Sequence, residues 1–151
     1  MIPKPSEKRL VLVLDTNVCL DLFVFQDRRW DKLLAALTDG RCSAITKTSC
    51  REEWLAVLHY PQLPINDDSR PGMIAAFDRL IQWQQPESTS GIKLPLCSDP
   101  DDQQFLELAR DGQASHLITK DKALLKCARK VANMGLFQIM TPEVFLASVD
   151  F

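Results

Sequence analysis

No run in this chain approaches the ~20 apolar residues that a membrane span requires. Its charged start, residues 1–9, is not followed by an apolar stretch long enough for a secretory signal. A cytoplasmic protein without a membrane segment is expected. Glycine is scarce, with five residues, and none falls into G-x-x-x-x-G-K or G-x-G-x-x-G, which removes the common nucleotide-binding loops. The two histidines, His59 and His116, are isolated, with no second His or Cys at ligand spacing, so a zinc site is not expected. Cysteine is odd in number and scattered (Cys19, Cys42, Cys50, Cys97, Cys127), with no C-x-x-C pair, unlike a secreted disulfide framework. These five read as small buried hydrophobes. Charge of one sign is also lacking: the formal net charge is −2. With no global basic field, a polyanionic partner has to be held by a local basic patch or by metal ions.

What is present fits one soluble domain over residues 1–151, 46% hydrophobic and 25% charged. The unbroken run Leu10 to Leu14 reads as a strand buried on both faces, as in a parallel sheet, and it stops at Asp15-Thr16-Asn17. Val18, Leu22 and Phe25 then keep helical spacing. Trp30, Leu33, Leu34 and Leu37 mark a second helix, with Gly40 as its C-cap. A short strand over 42–46 precedes a helix that Ser49 and Glu52 open as a capping box, which places Glu53 in its first turn. A proline-rich loop leads to a helix over 73–85, ended by Pro86. Residues 92–97 read as a third strand at a sheet edge, because of Pro95. Asp99-Pro100-Asp101-Asp102 opens a helix; 116–119 is a fourth strand, 121–131 a helix, 136–140 a fifth strand, and Thr141-Pro142-Glu143 caps a last helix. Strands alternating with helices predict an α/β fold, a three-layer α/β/α sandwich around a central parallel sheet of about five strands.

Asp15, Glu53, Asp102 and Asp121 each sit just past an apolar run or near a helix start. In an open parallel sheet, residues after the carboxyl ends of the strands gather along one edge, where ligands bind. Taken singly, each Asp is explained by capping: Asp99 suits the N-cap ahead of Pro100, with Asp102 at N3, and Asp15 and Asp121 also precede helices. Taken together, converging carboxylates repel unless a divalent cation neutralises them, and Mg²⁺ or Mn²⁺ prefers such oxygen ligands. Carboxylate-held Mg²⁺ usually serves phosphate chemistry, where one ion activates water and a second, when present ~4 Å away, stabilises the leaving oxygen.

Four segments, in order, carry a resemblance: Leu14-Asp15-Thr16-Asn17-Val18, the helix from Glu53 to Leu58, Asp99 to Ala109, and Leu117 to Leu125. They are similar to the motifs of PIN-domain ribonucleases, most nearly the branch of toxins from toxin–antitoxin systems, and the resemblance runs from Leu10 to about Leu146. It implies a PIN-like fold and a Mg²⁺- or Mn²⁺-dependent endoribonuclease acting on an RNA substrate, with a small antitoxin protein and a homodimer as partners. It also implies that Asp15, Asp102 and Asp121 are the principal metal ligands, that Glu53 binds a second metal or orients water, and that Asn17 belongs to the first motif. Asp99 matches an additional acid shared between capping and support. Thr16 and Thr119 are placed to hydrogen-bond water or carboxylate at the site's edge, although strand-end threonines are more often turn-formers.

Lys120 stands where the family resemblance leads one to expect a small residue, and reads as a solvated lysine; Asp21 has no counterpart and reads as a surface charge. Trp30, Trp54 and Trp83 read as helical core residues rather than base-stacking platforms. Arg28, Arg29, Lys47, Arg51 and Lys93 either rim the crevice or sit on solvated faces. Two other functions compete. A receiver-like phosphoacceptor domain would use Lys120 beside its acids but wants adjacent acids after the first strand, where Thr16 follows Asp15. A catalytically silent RNA-binding module would need no intact acids. A phosphatase with an Asp nucleophile wants an acid at position 17, which is Asn.

Overall fold

Leu12 and Leu14 face one side of a central strand and Val13 the other, and all three are buried. This is why Leu10–Leu14 (β1) is apolar at every position rather than alternating. The computed structural model describes residues 10–84 and 90–151. Around β1 lie Cys42–Thr46 (β2), Ile81–Trp83 (β3), His116–Ile118 (β4) and Gln138–Met140 (β5), all parallel, in the order β3-β2-β1-β4-β5. The chain builds outward from β1 through β2 to β3, then returns to β1's other side for β4 and β5. The order therefore reverses between β1 and β4, and the crevice outside their carboxyl ends is the switch point where such sheets bind ligands.

Helices cover both faces. One core cluster joins Leu12, Leu14, Ala44 and Ile81 to Thr16–Phe23 (α1), Asp31–Asp39 (α2), Arg70–Leu80 (α4), Trp54 of Thr48–Val57 (α3) and Phe145 of Pro142–Ser148 (α8). Trp54 stacks on Phe77 at 5.3 Å, with Phe23 edge-on to both. The other cluster joins Val13, Leu117 and Ile139 to Gln103–Asp111 (α5), Lys122–Leu125 (α6) and Ala128–Asn133 (α7). The three-layer sandwich on five parallel strands is as expected. Gly40 closes α2 in the left-handed conformation, φ 83°, that a C-capping glycine adopts without steric cost.

Five local expectations are corrected. The third strand is Ile81–Trp83, not 92–97. The helix expected over 73–85 ends at Leu80, and Ile81, already extended, takes its backbone partners from β2 opposite Ala44. Residues 92–97 bury Leu94 and Cys97 but are stapled to α5 instead: the Cys97 N–H donates to Gln103 Oε1 at 2.7 Å, and Gln103 Nε2 donates to the Pro95 carbonyl at 3.1 Å. Pro86, expected to end the helix, lies outside the described residues. The helix expected over 121–131 is two, α6 and α7, broken at Lys126 and Cys127. Ser49 is no cap, because α3 starts at Thr48 with Lys47 as N-cap; Glu53 consequently sits in the second turn, not the first. Trp83 is on the edge strand and 44% exposed, whereas Trp30 and Trp54 are core as expected. All five cysteines are free and buried. Among the described residues no helix is long and apolar enough to cross a membrane.

Candidate active site

Each acid reaches the switch point from its own element. Asp15 follows β1 and caps α1, its Oδ1 accepting from the Val18 N–H at 2.9 Å, and its backbone N–H donates to the Ile118 carbonyl of β4 at 3.2 Å. Thr119, fully buried at the end of β4, ties the two sides together: its hydroxyl donates to Asp15 Oδ2 and accepts the Asp121 N–H at 2.9 Å. Asp121 in turn caps α6, its Oδ1 accepting from the Ala123 N–H at 2.7 Å. Glu53 comes from α3 across the crevice, held by the Thr16 hydroxyl, which donates to its Oε2. Asp99 caps the 3₁₀ turn Pro100–Asp102 by accepting from the Asp101 N–H at 3.0 Å, and that turn delivers Asp102 to the start of α5. Thr16 thus fixes a carboxylate, and Thr119 does so while also making the turn expected of a strand-end threonine, its hydroxyl accepting the N–H two residues on.

Asp15, Asn17, Glu53, Asp102 and Asp121 line one cavity of about 360 Å³ at the carboxyl ends of β1 and β4. Carboxylate oxygens of Asp99, Asp102 and Asp121 lie within 4.8 Å of one another. Asp99 is therefore closer to the acid cluster than a pure cap, and Asp15 lines the cavity without belonging to that tightest group. Sequence reasoning missed Tyr60 and Gln62, which line the same cavity from the loop after α3. Their only signal was proximity to Pro61 in a loop that had to fold over something.

The electrostatics are unfavourable without a cation. Burial pushes the Asp15 carboxyl up to about 6, against the hydrogen bonds from Thr119 and Val18, with the Asp121 charge adding to the rise. Asp102 is pushed up to about 7, first by burial, then by the charges of Asp121 and Asp99. Asp102 Oδ2 is buried without a hydrogen-bond partner, one of two such side-chain atoms found among the described residues; the other is Trp54 Nε1 in the core. Two ionised carboxylates both accept and neither donates. Either a proton shared with Asp121 or a cation bound between them removes the conflict, and an all-oxygen donor set of this kind fits Mg²⁺ or Mn²⁺.

The basic residues do not supply that cation. Arg29 is paired with Asp27 at 2.7 Å and Arg51 with Asp78 at 2.8 Å, while Lys47 lies 4.0 Å from Glu107. Lys120 and Asp21 correct their readings together. Asp21 is buried, accepts from Trp30 Nε1 at 3.3 Å, and pairs with Lys120 Nζ at 2.6 Å. Lys120 is paired with Asp21 on α1, and its charge offsets the rise at Asp15 only as the last of several causes, which weakens the feature that favoured a receiver-like domain. The strand order decides against it, since the flavodoxin-like receiver sheet runs 2-1-3-4-5 and this one 3-2-1-4-5. His116 is half-buried against Phe145, with burial holding its pKa below the ordinary value, and belongs to the packing.

No curated protein and no solved structure matches this sequence. The sequence does match the PIN domain family over residues 11–123, a stretch that runs from β1 into α6 and contains all four converging acids. Members of that family are generally nucleases that use divalent metal ions. With more than half of its length matched, and with a five-stranded parallel sheet carrying a carboxylate cluster at its switch point, the chain belongs to the PIN-domain family.

Proposed function

We propose that this PIN domain is a Mg²⁺- or Mn²⁺-dependent endoribonuclease that hydrolyses RNA phosphodiester bonds. The observation that carries the reading is the buried, partnerless Asp102 Oδ2 facing other carboxylates at the switch point. A merely structural acid would have been given a donor. Asp15, Asp102 and Asp121 would hold the ion, with Asp99 beside Asp102 and Asp121 in support and Glu53 across the crevice. Bound there, a divalent ion supplies charge neutralisation and water activation at a phosphate.

The chain's own residues set the rest. Thr119 fixes Asp15 relative to the Asp121 backbone, so the ligand geometry is inherited from the β1–β4 pairing. Thr16 occupies Glu53 Oε2, which leaves Oε1 to orient an attacking water and take its proton. Asn17 and Tyr60 give the cavity neutral hydrogen-bonding groups beside the acids. The biological setting that goes with this reading is a cytoplasmic toxin of a toxin–antitoxin pair, held inactive by a small antitoxin and possessing a homodimeric form; the free cysteines suit that compartment.

The test is incubation with single-stranded and structured RNAs in Mn²⁺, Mg²⁺ or EDTA. Internal cleavage in either metal and none in EDTA is expected. Binding without cleavage in every condition would favour the silent RNA-binding module instead. Co-expression with the product of the neighbouring reading frame, followed by size-exclusion chromatography, tests the antitoxin and the dimer.

A further inference from the structure

The sheet register places an unused aromatic in line with the acid site. Ile118 pairs with Leu14, and Thr46 with Trp83; two residues beyond the Leu12–Ala44 pair, Leu14 and Thr46 fall in the same row. Trp83 therefore ends the same carboxyl edge that carries Asp15. At about 4.8 Å between strands, two inter-strand spacings place it about 10 Å from β1. Of the three tryptophans, Trp30 and Trp54 are 3% and 1% exposed, and Trp83 is 44% exposed. Beside it opens a cavity of about 610 Å³, lined also by Thr46, Arg51, Asp78 and Gln82. Arg51 and Asp78 meet there as a fork, Nε to Oδ1 at 2.9 Å and a terminal nitrogen to Oδ2 at 2.8 Å.

We infer that Trp83 and the cavity beside it form a nucleobase subsite, in which a base of single-stranded RNA stacks on the indole while its phosphodiester backbone continues to the acid cluster. The chemistry matches a base better than a phosphate. The Arg51–Asp78 pair has no net charge, yet the guanidinium has five N–H donors and the fork uses two, while the carboxylate and the Gln82 amide offer acceptors. Single-stranded RNA is recognised through splayed bases that stack on aromatic side chains, a contribution that every base's π-face can make and that needs no charge at the ring itself. A lone exposed aromatic needs no explanation. An exposed indole at the carboxyl edge that carries the acids, on the edge strand, beside a cavity with room for a base, does. The subsite rests on the ribonuclease reading above.

The experiment uses the full chain carrying Asp102→Asn, so that RNA is bound and not cut. A labelled single-stranded oligoribonucleotide is titrated by anisotropy in Mn²⁺, and indole emission is followed in parallel. RNA should quench the fluorescence, because Trp83 is the reachable indole. Trp83→Ala and Trp83→Leu should weaken binding by about 10- to 100-fold, the loss of one stacked base, and Trp83→Phe should restore most of it. The dependence of affinity on salt should keep its slope, since no phosphate contact is lost. Leu, an apolar replacement without a ring, guards against an Ala variant that folds poorly. Equal RNA affinity in the parent and the Leu variant overturns the proposal and leaves the indole to a protein surface; a shallower salt slope overturns stacking as the cause. If the parent itself binds no RNA and the wild type cuts none, the ribonuclease reading falls as well. Cleavage by the wild type with no effect at Trp83 removes the subsite alone.

Discussion

Helix α5 has an aspartate at each end, and the two have opposite fates. Asp102, at the N-terminus, has the favourable end of the helix dipole, yet its carboxyl is pushed up to about 7. Asp111, at the C-terminus, has the unfavourable end, yet its carboxyl is held below the ordinary carboxylate range. Burial opposes ionisation at both. What separates them is company: Asp111 accepts from Arg110 Nε at 2.8 Å and from the Ser90 N–H at 2.8 Å, whereas Asp102 faces Asp121 and Asp99. A neighbouring charge at hydrogen-bonding distance outweighs a helix dipole, which contributes only about 0.3–1 kcal/mol in most settings. One end of α5 thus carries a satisfied acid and the other an acid with an unpaired buried oxygen, and the ion site proposed above rests on that contrast.

The sharpest way to break this contrast is to neutralise the reserved end. Asp102→Asn, and likewise Asp15→Asn, should lower Mn²⁺-dependent RNA cleavage by at least about 100-fold, the upper range for losing a group that only supports a metal ligand. Circular dichroism on the same preparation should show an intact fold. Near-wild-type cleavage in both variants would dismiss the site.

The next test loads the site. Mn²⁺ that binds only the folded protein should raise stability by about 2.7 kcal/mol at a hundredfold excess over Kd. In the metal-free protein the sign with pH is set by the raised carboxyls: the folded state holds protons that the unfolded chain, with Asp near 3.9, releases. Stability contributed by Asp15 and Asp102 is full below about pH 4 and is lost as pH rises through about 6 and 7. Thermal melts in EDTA should thus fall from pH 5 to pH 8, while metal binding weakens over the same range as pH is lowered, because protons compete for the ligands. Asp121→Asn should raise the metal-free melt at pH 8 by relieving Asp102, since Asn keeps the α6 cap. A wild-type melt that ignores both EDTA and millimolar Mn²⁺ would remove the reason for separating the two ends.

At the satisfied end, Arg110→Ala leaves Asp111 without its cation and should cost about 1–3 kcal/mol in a denaturant titration, with cleavage retained. The smallest effect belongs to the cap: Asp99→Ala should cost about 1 kcal/mol and Asp99→Asn little, as N-cap losses do. Complete loss of cleavage in a stable Asp99→Asn protein would promote Asp99 to a ligand, consistent with its place in the tightest carboxylate group.

The convergence of Asp15, Glu53, Asp102 and Asp121 was legible because each follows a strand or opens a helix, and parallel topology sends all such positions to one edge. The dual role of Asp15 and Asp121 was legible only as a choice between cap and ligand. The structure shows the capping job for each, one oxygen on a helix N–H, and places both residues on the wall of the same cavity, so a cap and a cavity wall are compatible in one side chain. Ile81–Trp83 was hidden because Phe77, Leu80 and Ile81 continue a helical spacing, and only the open edge of β2 recruits them into the sheet. The burial of Asp21 was illegible for a similar reason. Its partners, Trp30 and Lys120, are distant in sequence or on another element, and a lone Asp on an amphipathic helix carries no mark of burial.

The Thr119–Asp15 hydrogen bond joins residues 104 positions apart. A ribosome making this chain releases Asp15, Glu53 and Asp102 well before Thr119 and Asp121, so the nascent polypeptide carries an incomplete set of acids during most of its synthesis. Closing the site waits for β4 to dock against β1, the long-range step that contact order makes late. On the ribonuclease reading, the cutting centre is completed only once β4 has been made and has docked beside β1.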